Sequence, residues 1–149
     1  RRCRDLGADA AVDYRNEDFE TVSLDLTDGE GVDVVLDCIG GPYLEKNLRA
    51  LAVDGRLVAI GLMGGPKAEL DMRRLLTRRL RVIGSTLRAL PPARKAEIVS
   101  SFLDRFGGAL ADGRLRPVID SIYPMERVAE AHARLASGEA FGKVVLSVP

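Results

Sequence analysis

The sequence predicts an α/β fold built on a mostly parallel sheet, and three observations carry the prediction. Short β-like runs alternate with longer helical stretches from end to end, the order that right-handed βαβ units produce. Two runs, Val32–Leu36 and Arg56–Ile60, are rich in branched apolar residues without strict alternation, as a strand covered on both faces of a parallel sheet reads. Both stop on glycine-containing breaks, Cys38-Ile39-Gly40-Gly41 and Gly61-Leu62-Met63-Gly64-Gly65.

Taken in order, residues 2–6 read as a helix end stopped by Gly7, a residue that tolerates φ > 0. Ala10–Tyr14 reads as a short strand. Glu17-Asp18-Phe19 opens a helix to about Leu26, with acids in its first turn where the helix dipole favours them. After the turn 27–31 comes the strand Val32–Leu36. Pro42 then sits in the first turn of a helix, where its missing N–H costs nothing, and that helix runs to about Leu51 and stops at Asp54-Gly55. The strand Arg56–Ile60, the loop 62–68, a helix over Asp71–Arg78 and a strand over Leu80–Thr86 complete the unit that Pro91-Pro92 closes. A long amphipathic helix spans Ala93–Leu110, with a break expected at Gly107-Gly108. Pro117–Tyr123, Met125–Leu135 and Lys143–Val148 read as strand, helix and strand.

Composition narrows the function classes. The length of 149 residues suits about one domain. The 22 basic and 22 acidic residues cancel, which leaves no case for nucleic acid or an anionic membrane surface as partner. No apolar run approaches the roughly 20 residues of a membrane helix. The opening RRCRDLGAD has no apolar segment of the secretory kind; it lacks an initiator Met and is expected to belong to something longer. Cys3 and Cys38 lie far apart and His132 is the single histidine, so the chain offers neither a disulfide framework nor a zinc cluster, and a reducing cytoplasm is the expected home.

In open parallel sheets ligands bind outside the carboxyl ends of the strands. Three strand ends here carry glycine or a polar break: Tyr14, Cys38–Gly41 and Gly61–Gly65. Glycine there admits a flat or charged ligand to the backbone, and free N–H groups at the following helix start suit phosphate. The expectation is that these three ends line one crevice. His132 is read as a packed or surface histidine. The basic stretch Arg73, Arg74, Arg78, Arg79 and Arg81 alternates with leucines and is read as a solvated helix face.

The segments Asp9–Tyr14, Gly31–Gly41, Asn47–Leu51, Asp54–Val58, Ile60–Gly65 and Gly142–Leu146, in that order, resemble the quinone oxidoreductase branch of the medium-chain dehydrogenase/reductase superfamily. The resemblance covers nearly the whole chain. It implies a doubly wound, Rossmann-like dinucleotide-binding sheet of strand order 3-2-1-4-5-6, with NADPH as cofactor, a quinone or activated alkene (enone) as substrate and no catalytic zinc. It also implies that the GroES-like N-terminal domain and the first two strands of the sheet, with their Gly-rich phosphate turn, are absent from residues 1–149, in which no G-x-G-x-x-G occurs. Residues 1–149 are then the C-terminal part of the nucleotide-binding domain plus a C-terminal return segment, with strand 4 left as an open edge that invites association.

The resemblance assigns candidate cofactor contacts. Tyr14 matches a tyrosine lying against the adenosine end, the alternative being an aromatic that covers the sheet. Cys38, Ile39 and Gly40 match the strand end beside the ribose, and Gly61, Leu62 and Met63 the loop flanking the nicotinamide. Phe141 and Lys143 match the return segment that approaches the cofactor, with a solvated strand residue as the alternative for Lys143. No catalytic residue is identified, and Cys38 has no basic partner that would make it a nucleophile. The segment 80–87 resembles the edge strand through which family members form homodimers. Two other readings stay open: an enoyl reductase module of a polyketide or fatty-acid synthase, and a truncated, non-catalytic remnant.

Overall fold

The computed structural model describes residues 1–148 and divides the chain into two compact units, Arg1–Leu90 and Pro91–Pro149. In the first unit a short helix α1 (Arg2–Asp5) is followed by α2 (Phe19–Asp25), β1 (Val32–Asp37), α3 (Leu44–Ala50), β2 (Leu51–Ala59), α4 (Met72–Thr77) and β3 (Arg81–Gly84). The three strands form a parallel sheet in the order β1-β2-β3. Val35, Leu57 and Val82 stand in register, as do Leu36, Val58 and Ile83. Because side chains alternate across a pleated sheet, these two rows face opposite sides.

One side carries the core. Leu48, Leu51, Leu57 and Leu80 are buried together, with Val32, Val35, Leu44 and Leu75 packed against them. The other side is bare: Leu36 is 68% exposed and Val34 43%. The expectation that β1 is covered on both faces therefore fails. The branched run reflects the burial a complete doubly wound sheet would give it, and this sheet has three of those strands.

The expected strand Ala10–Tyr14 does not form. These residues belong to no strand and end in the turn that begins at Tyr14. A strand exists only as one side of a ladder, and in the doubly wound order the neighbour of this segment is strand 2, which residues 1–149 do not include. The boundary between α3 and β2 also differs from expectation. The strand begins at Leu51, immediately after the helix, and carries the irregular turn at Asp54, whose φ is +64°. Arg79 clasps that turn, its guanidinium donating to both carboxylate oxygens of Asp54 at 2.8 and 2.6 Å.

Two arginines expected on a solvated face are structural. The Arg74 guanidinium donates to the carbonyls of Leu48 and Arg49 at 2.9 and 2.7 Å, which satisfies the last turn of α3 where helical carbonyls lack partners. Desolvation draws its pKa below the ordinary arginine value. Arg78 donates to the carbonyls of Glu30 and Leu51. Arg73, Arg79 and Arg81 are exposed, as expected.

The second unit contains α5 (Pro92–Ala111), β4 (Ile119–Pro124), α6 (Val128–Ala136) and β5 (Lys143–Ser147), with β4 and β5 paired in parallel. α5 is continuous through Gly107-Gly108, where a penalty of about 1 kcal/mol per glycine is outweighed by the rest of a 20-residue helix. His132 is exposed on α6.

Candidate functional site

The sequence Val34–Gly41 builds a turn whose geometry is set by one side chain. Asp37 ends β1 and is only 6% exposed. Its two carboxylate oxygens accept the N–H of Ile39 at 2.8 Å and of Gly40 at 2.9 Å, and its carbonyl accepts the N–H of Ile60 at 2.7 Å. The aspartate at which the apolar run stops is thus the peg on which the turn hangs. An aspartate after a β-branched run is a signal for such a side-chain-to-backbone turn, although the sequence-based choice of site residues passes over it.

The end of β2 folds onto this turn. The carbonyl of Cys38 accepts the N–H of Met63 at 3.1 Å, and that of Ile39 the N–H of Gly64 at 2.8 Å. Gly41 donates to the carbonyl of Gly65 at 2.9 Å, and Gly40 bridges to Gly65. Glycine is required where the loops cross. Gly40 has φ of +87°, and a Cβ there would stand 2.8 Å from the carbonyl oxygen of Gly65; a Cβ on Gly41 would overlap the carbonyl of Lys67. These glycines serve the approach of one loop to another.

Cys38, Ile39, Gly40, Gly61, Leu62 and Met63 therefore share one corner at the carboxyl ends of β1 and β2. Leu62 and Met63 are exposed, Met63 at 82%. Tyr14, although outside any strand, lines a groove of about 640 Å³ together with Val12, Val34, Leu36, Asp37, Cys38 and Ile39. Cys38 and Ile39 belong to both the groove and the corner, whereas Gly61–Gly65 do not line the groove with Tyr14. Asn47 also lines the groove; it is 3% exposed and its side-chain Nδ2 has no hydrogen-bond partner. Sequence reading does not single it out, and a lone Asn within a helix gives no signal that could do so.

Within the turn itself, Ile39 to Tyr43, no N–H is left for phosphate. Ile39 and Gly40 donate to Asp37, Gly41 donates to Gly65, Pro42 has no N–H, and Tyr43 donates to the carbonyl of Gly40 at 3.0 Å. What the corner presents to a ligand is an uncharged surface of Cys38, Ile39, Leu62 and Met63 beside an enclosed carboxylate.

Phe141 and Lys143 lie in the second unit, where Asp120 organises their segment. Arg134 grips its carboxylate with two bonds of 3.0 Å, and the N–H of Phe141 donates to it at 3.0 Å. These bonds hold the Asp120 carboxyl well below the usual carboxylate range, the Arg134 guanidinium being the largest cause and the Phe141 N–H the next. Lys143 is exposed at the start of β5, and its N–H donates to the carbonyl of Val118.

Among the described residues no three His, Cys, Asp or Glu side chains are grouped so as to hold a metal ion, and none of the helices is long and apolar enough to cross a membrane. The described residues do not fit a zinc site.

Comparison with known proteins places this geometry. The family model described as zinc-binding dehydrogenase matches residues 6–146. The chain is 34% identical to the quinone oxidoreductase of Lama guanicoe over 94% of its own length and 41% of the relative's. It is 32% identical to a phenolphthiocerol/phthiocerol polyketide synthase polypeptide of Mycobacterium tuberculosis over 97% of its length, which is 6% of that protein. The solved structure of a mycobacterial protein complexed with NADPH superposes with a TM-score of 0.77 at 28% identity, covering 97% of this chain and 45% of that one. The chain thus spans less than half the length of these relatives. A parallel sheet ending in two interlocked turns and the match over residues 6–146 agree: the chain belongs to the zinc-binding dehydrogenase family, in the quinone oxidoreductase branch of the medium-chain dehydrogenase/reductase superfamily, with the sequence of its C-terminal part.

Proposed function

We propose that this chain supplies one wall of the cofactor crevice in an NADPH-dependent oxidoreductase that reduces a quinone or an activated alkene. The observation that carries the reading is the corner at the carboxyl ends of β1 and β2, where Cys38–Gly41 and Gly61–Gly65 are joined by backbone hydrogen bonds. Ligands of open parallel sheets bind at such ends. When bound, the nicotinamide supplies the hydride, and the protein's part is binding and orientation. In this reading Cys38, Ile39 and Gly40 flank the ribose, Gly61, Leu62 and Met63 flank the nicotinamide, and Tyr14 lies against the adenosine end. Phe141 and Lys143, in the second unit, are candidate cofactor contacts by resemblance alone. The NADPH complex of one relative and the quinone oxidoreductase name of another support the cofactor and the substrate class. β3 presents a free edge with every residue exposed, Val82 and Ile83 included, which supports a homodimer through 80–87. Two exposed free thiols, Cys3 and Cys38, suit a reducing cytoplasm.

The polyketide synthase match favours a second reading, an enoyl reductase module within a longer synthase. Either way the phosphates of the dinucleotide need donors that this turn does not offer. The test is an NADPH titration followed by nicotinamide fluorescence. The chain of 149 residues is expected to bind weakly or not at all, and a polypeptide extended by the relatives' preceding domain and Gly-rich turn to bind saturably and to oxidise NADPH with a quinone. Failure of the extended polypeptide to bind NADPH sinks the proposal. Oxidation with enoyl thioesters but not with quinones selects the second reading.

A further inference from the structure

We propose that Asp37 is a built-in anion that fills the donor pair at the end of β1 and so turns this end of the crevice away from phosphate and toward the uncharged, ribose–nicotinamide portion of a dinucleotide. The naming of the ligand rests on the function proposed above; the exclusion of phosphate does not.

Successive backbone N–H groups in a tight turn form a concavity that binds anions. Ile39 and Gly40 form such a pair, and it is occupied: their N–H groups converge on the two oxygens of the Asp37 carboxylate at 2.8 and 2.9 Å. The remaining N–H groups through Tyr43 are bonded within the loops. Asp37 also acts at a distance. It is 6% exposed and lines the groove with Cys38 and Ile39, so its charge is poorly screened, and a second anion placed beside it is repelled. Both effects have one sign. A phosphate at this turn finds no donors and a fixed negative neighbour, whereas an uncharged ring or sugar loses nothing to either.

The same bonds rule out a role as general base. Each oxygen already accepts a backbone N–H, and displacing either would release the turn that the carbonyls of Cys38 and Ile39 use to hold Met63 and Gly64. Asp37 is therefore a positioning and selectivity residue.

The test uses the whole chain, labelled with nitrogen-15, and follows the amide resonances of Ile39 and Gly40. In the unaltered chain these amides are expected to be protected from hydrogen exchange and unmoved by inorganic phosphate. In Asp37→Ser the two N–H groups lose their carboxylate partner, and inorganic phosphate is expected to shift both resonances saturably, with affinity raised roughly tenfold or more for two charge-assisted bonds gained. Asp37→Asn keeps the shape and removes the charge, and is expected to fall between. Phosphate that shifts Ile39 and Gly40 in the unaltered chain overturns the proposal, as does a folded Asp37→Ser chain in which they ignore phosphate. If Asp37→Ser loses its cooperative unfolding transition, exchange protection and phosphate response in the unaltered chain decide alone. In the polypeptide extended by the relatives' preceding domain and Gly-rich turn, a parallel titration with reduced nicotinamide riboside, which is uncharged, is expected to move the resonances of Cys38–Gly41 and Gly61–Met63. Its failure alongside intact phosphate exclusion overturns the naming of the ligand and the function beneath it, and leaves the filled donor pair standing.

Discussion

The two units of this chain are held by different forces. In Arg1–Leu90 the side chains of Leu48, Leu51, Leu57 and Leu80 close an apolar core on one face of a three-stranded sheet. In Pro91–Pro149 the only buried apolar residue among those described is Ala131, and the closest tie is a carboxylate, Asp120, gripped by Arg134 and by the N–H of Phe141. The first unit should therefore be the more sensitive to lost volume, whereas Asp120 gives the second a buried tie that acid weakens. The contrast extends to helix starts. α4 is capped by Asp71, whose carboxylate accepts the N–H of Arg73 and Arg74 at 2.9 and 3.3 Å, while α6 begins after Arg127 with no side-chain cap.

The largest effect is expected from Leu57→Ala. Leu57 is fully buried in the middle strand, so the substitution removes its transfer energy and leaves a cavity, a cost of about 2–5 kcal/mol. Urea unfolding read by hydrogen exchange should show the loss in amides of residues 32–84. An equal loss across residues 119–147 would break the contrast between the units.

Next comes Gly41→Ala. An added Cβ would overlap the carbonyl of Lys67, a backbone atom that cannot swing aside, and such overpacking costs about 1–3 kcal/mol. The amides of Met63, Gly64 and Gly65, which are bonded to the carbonyls of Cys38, Ile39 and Leu62, should exchange faster, while those of β3 keep their protection. Unchanged exchange at Met63 and Gly64 would show that the two turns do not depend on each other.

These positions also show what the sequence could reveal. Val32–Leu36 and Arg56–Ile60 were legible as strands because branched apolar runs have few other uses, and both lie within β1 and β2 except Ile60, which follows β2 directly. Ala10–Tyr14 has the same local character and forms no strand, because pairing is a property of two segments and the second is not in the chain. Gly107-Gly108 signalled a break that a long helix absorbs. At the site, Gly40 and Gly61 were legible as strand-end glycines, but the sequence did not show that a Cβ on Gly40 or Gly41 would meet a neighbouring loop. Asp37 was visible only as the place where an apolar run stops. Arg74 and Arg78 carry no sequence mark that separates a carbonyl-capping guanidinium from a solvated one. Patterns report periodicity and local turns; they do not report which distant carbonyl a long side chain will reach.

A smaller effect is expected from Asp71→Ala, which deletes the cap of α4. Loss of an N-cap costs about 1 kcal/mol. The amides of Arg73 and Arg74 should lose protection first. The equivalent removal at α6, Arg127→Ala, deletes no cap, because Arg127 bonds instead to Glu130. A comparable loss of helix protection from Arg127→Ala would erase the distinction between the helix starts.

The smallest effect at neutral pH, and the most selective, is a slope. The Asp120 carboxyl titrates lower in the folded chain than an unfolded aspartate does, chiefly because Arg134 donates to it. A group with a depressed folded pKa contributes stability that is complete above its unfolded value, about 3.9 for aspartate, and that is lost as pH falls from there toward the folded value. Thermal unfolding of the β4-β5 unit, followed by the Tyr123 signal, should therefore be level through neutral pH and fall on the acid side. Asp112 and Glu130 in the same unit are lowered by Arg114 and Arg127, so part of any acid slope belongs to them. The difference between the unaltered chain and Asp120→Asn isolates the Asp120 share, since the variant cannot titrate there but keeps the side chain's shape. Its unfolding temperature should start lower at neutral pH and converge on that of the unaltered chain as pH falls. If the two curves stay parallel through the acid range, the clamp is not electrostatic, and the second unit is held by packing after all.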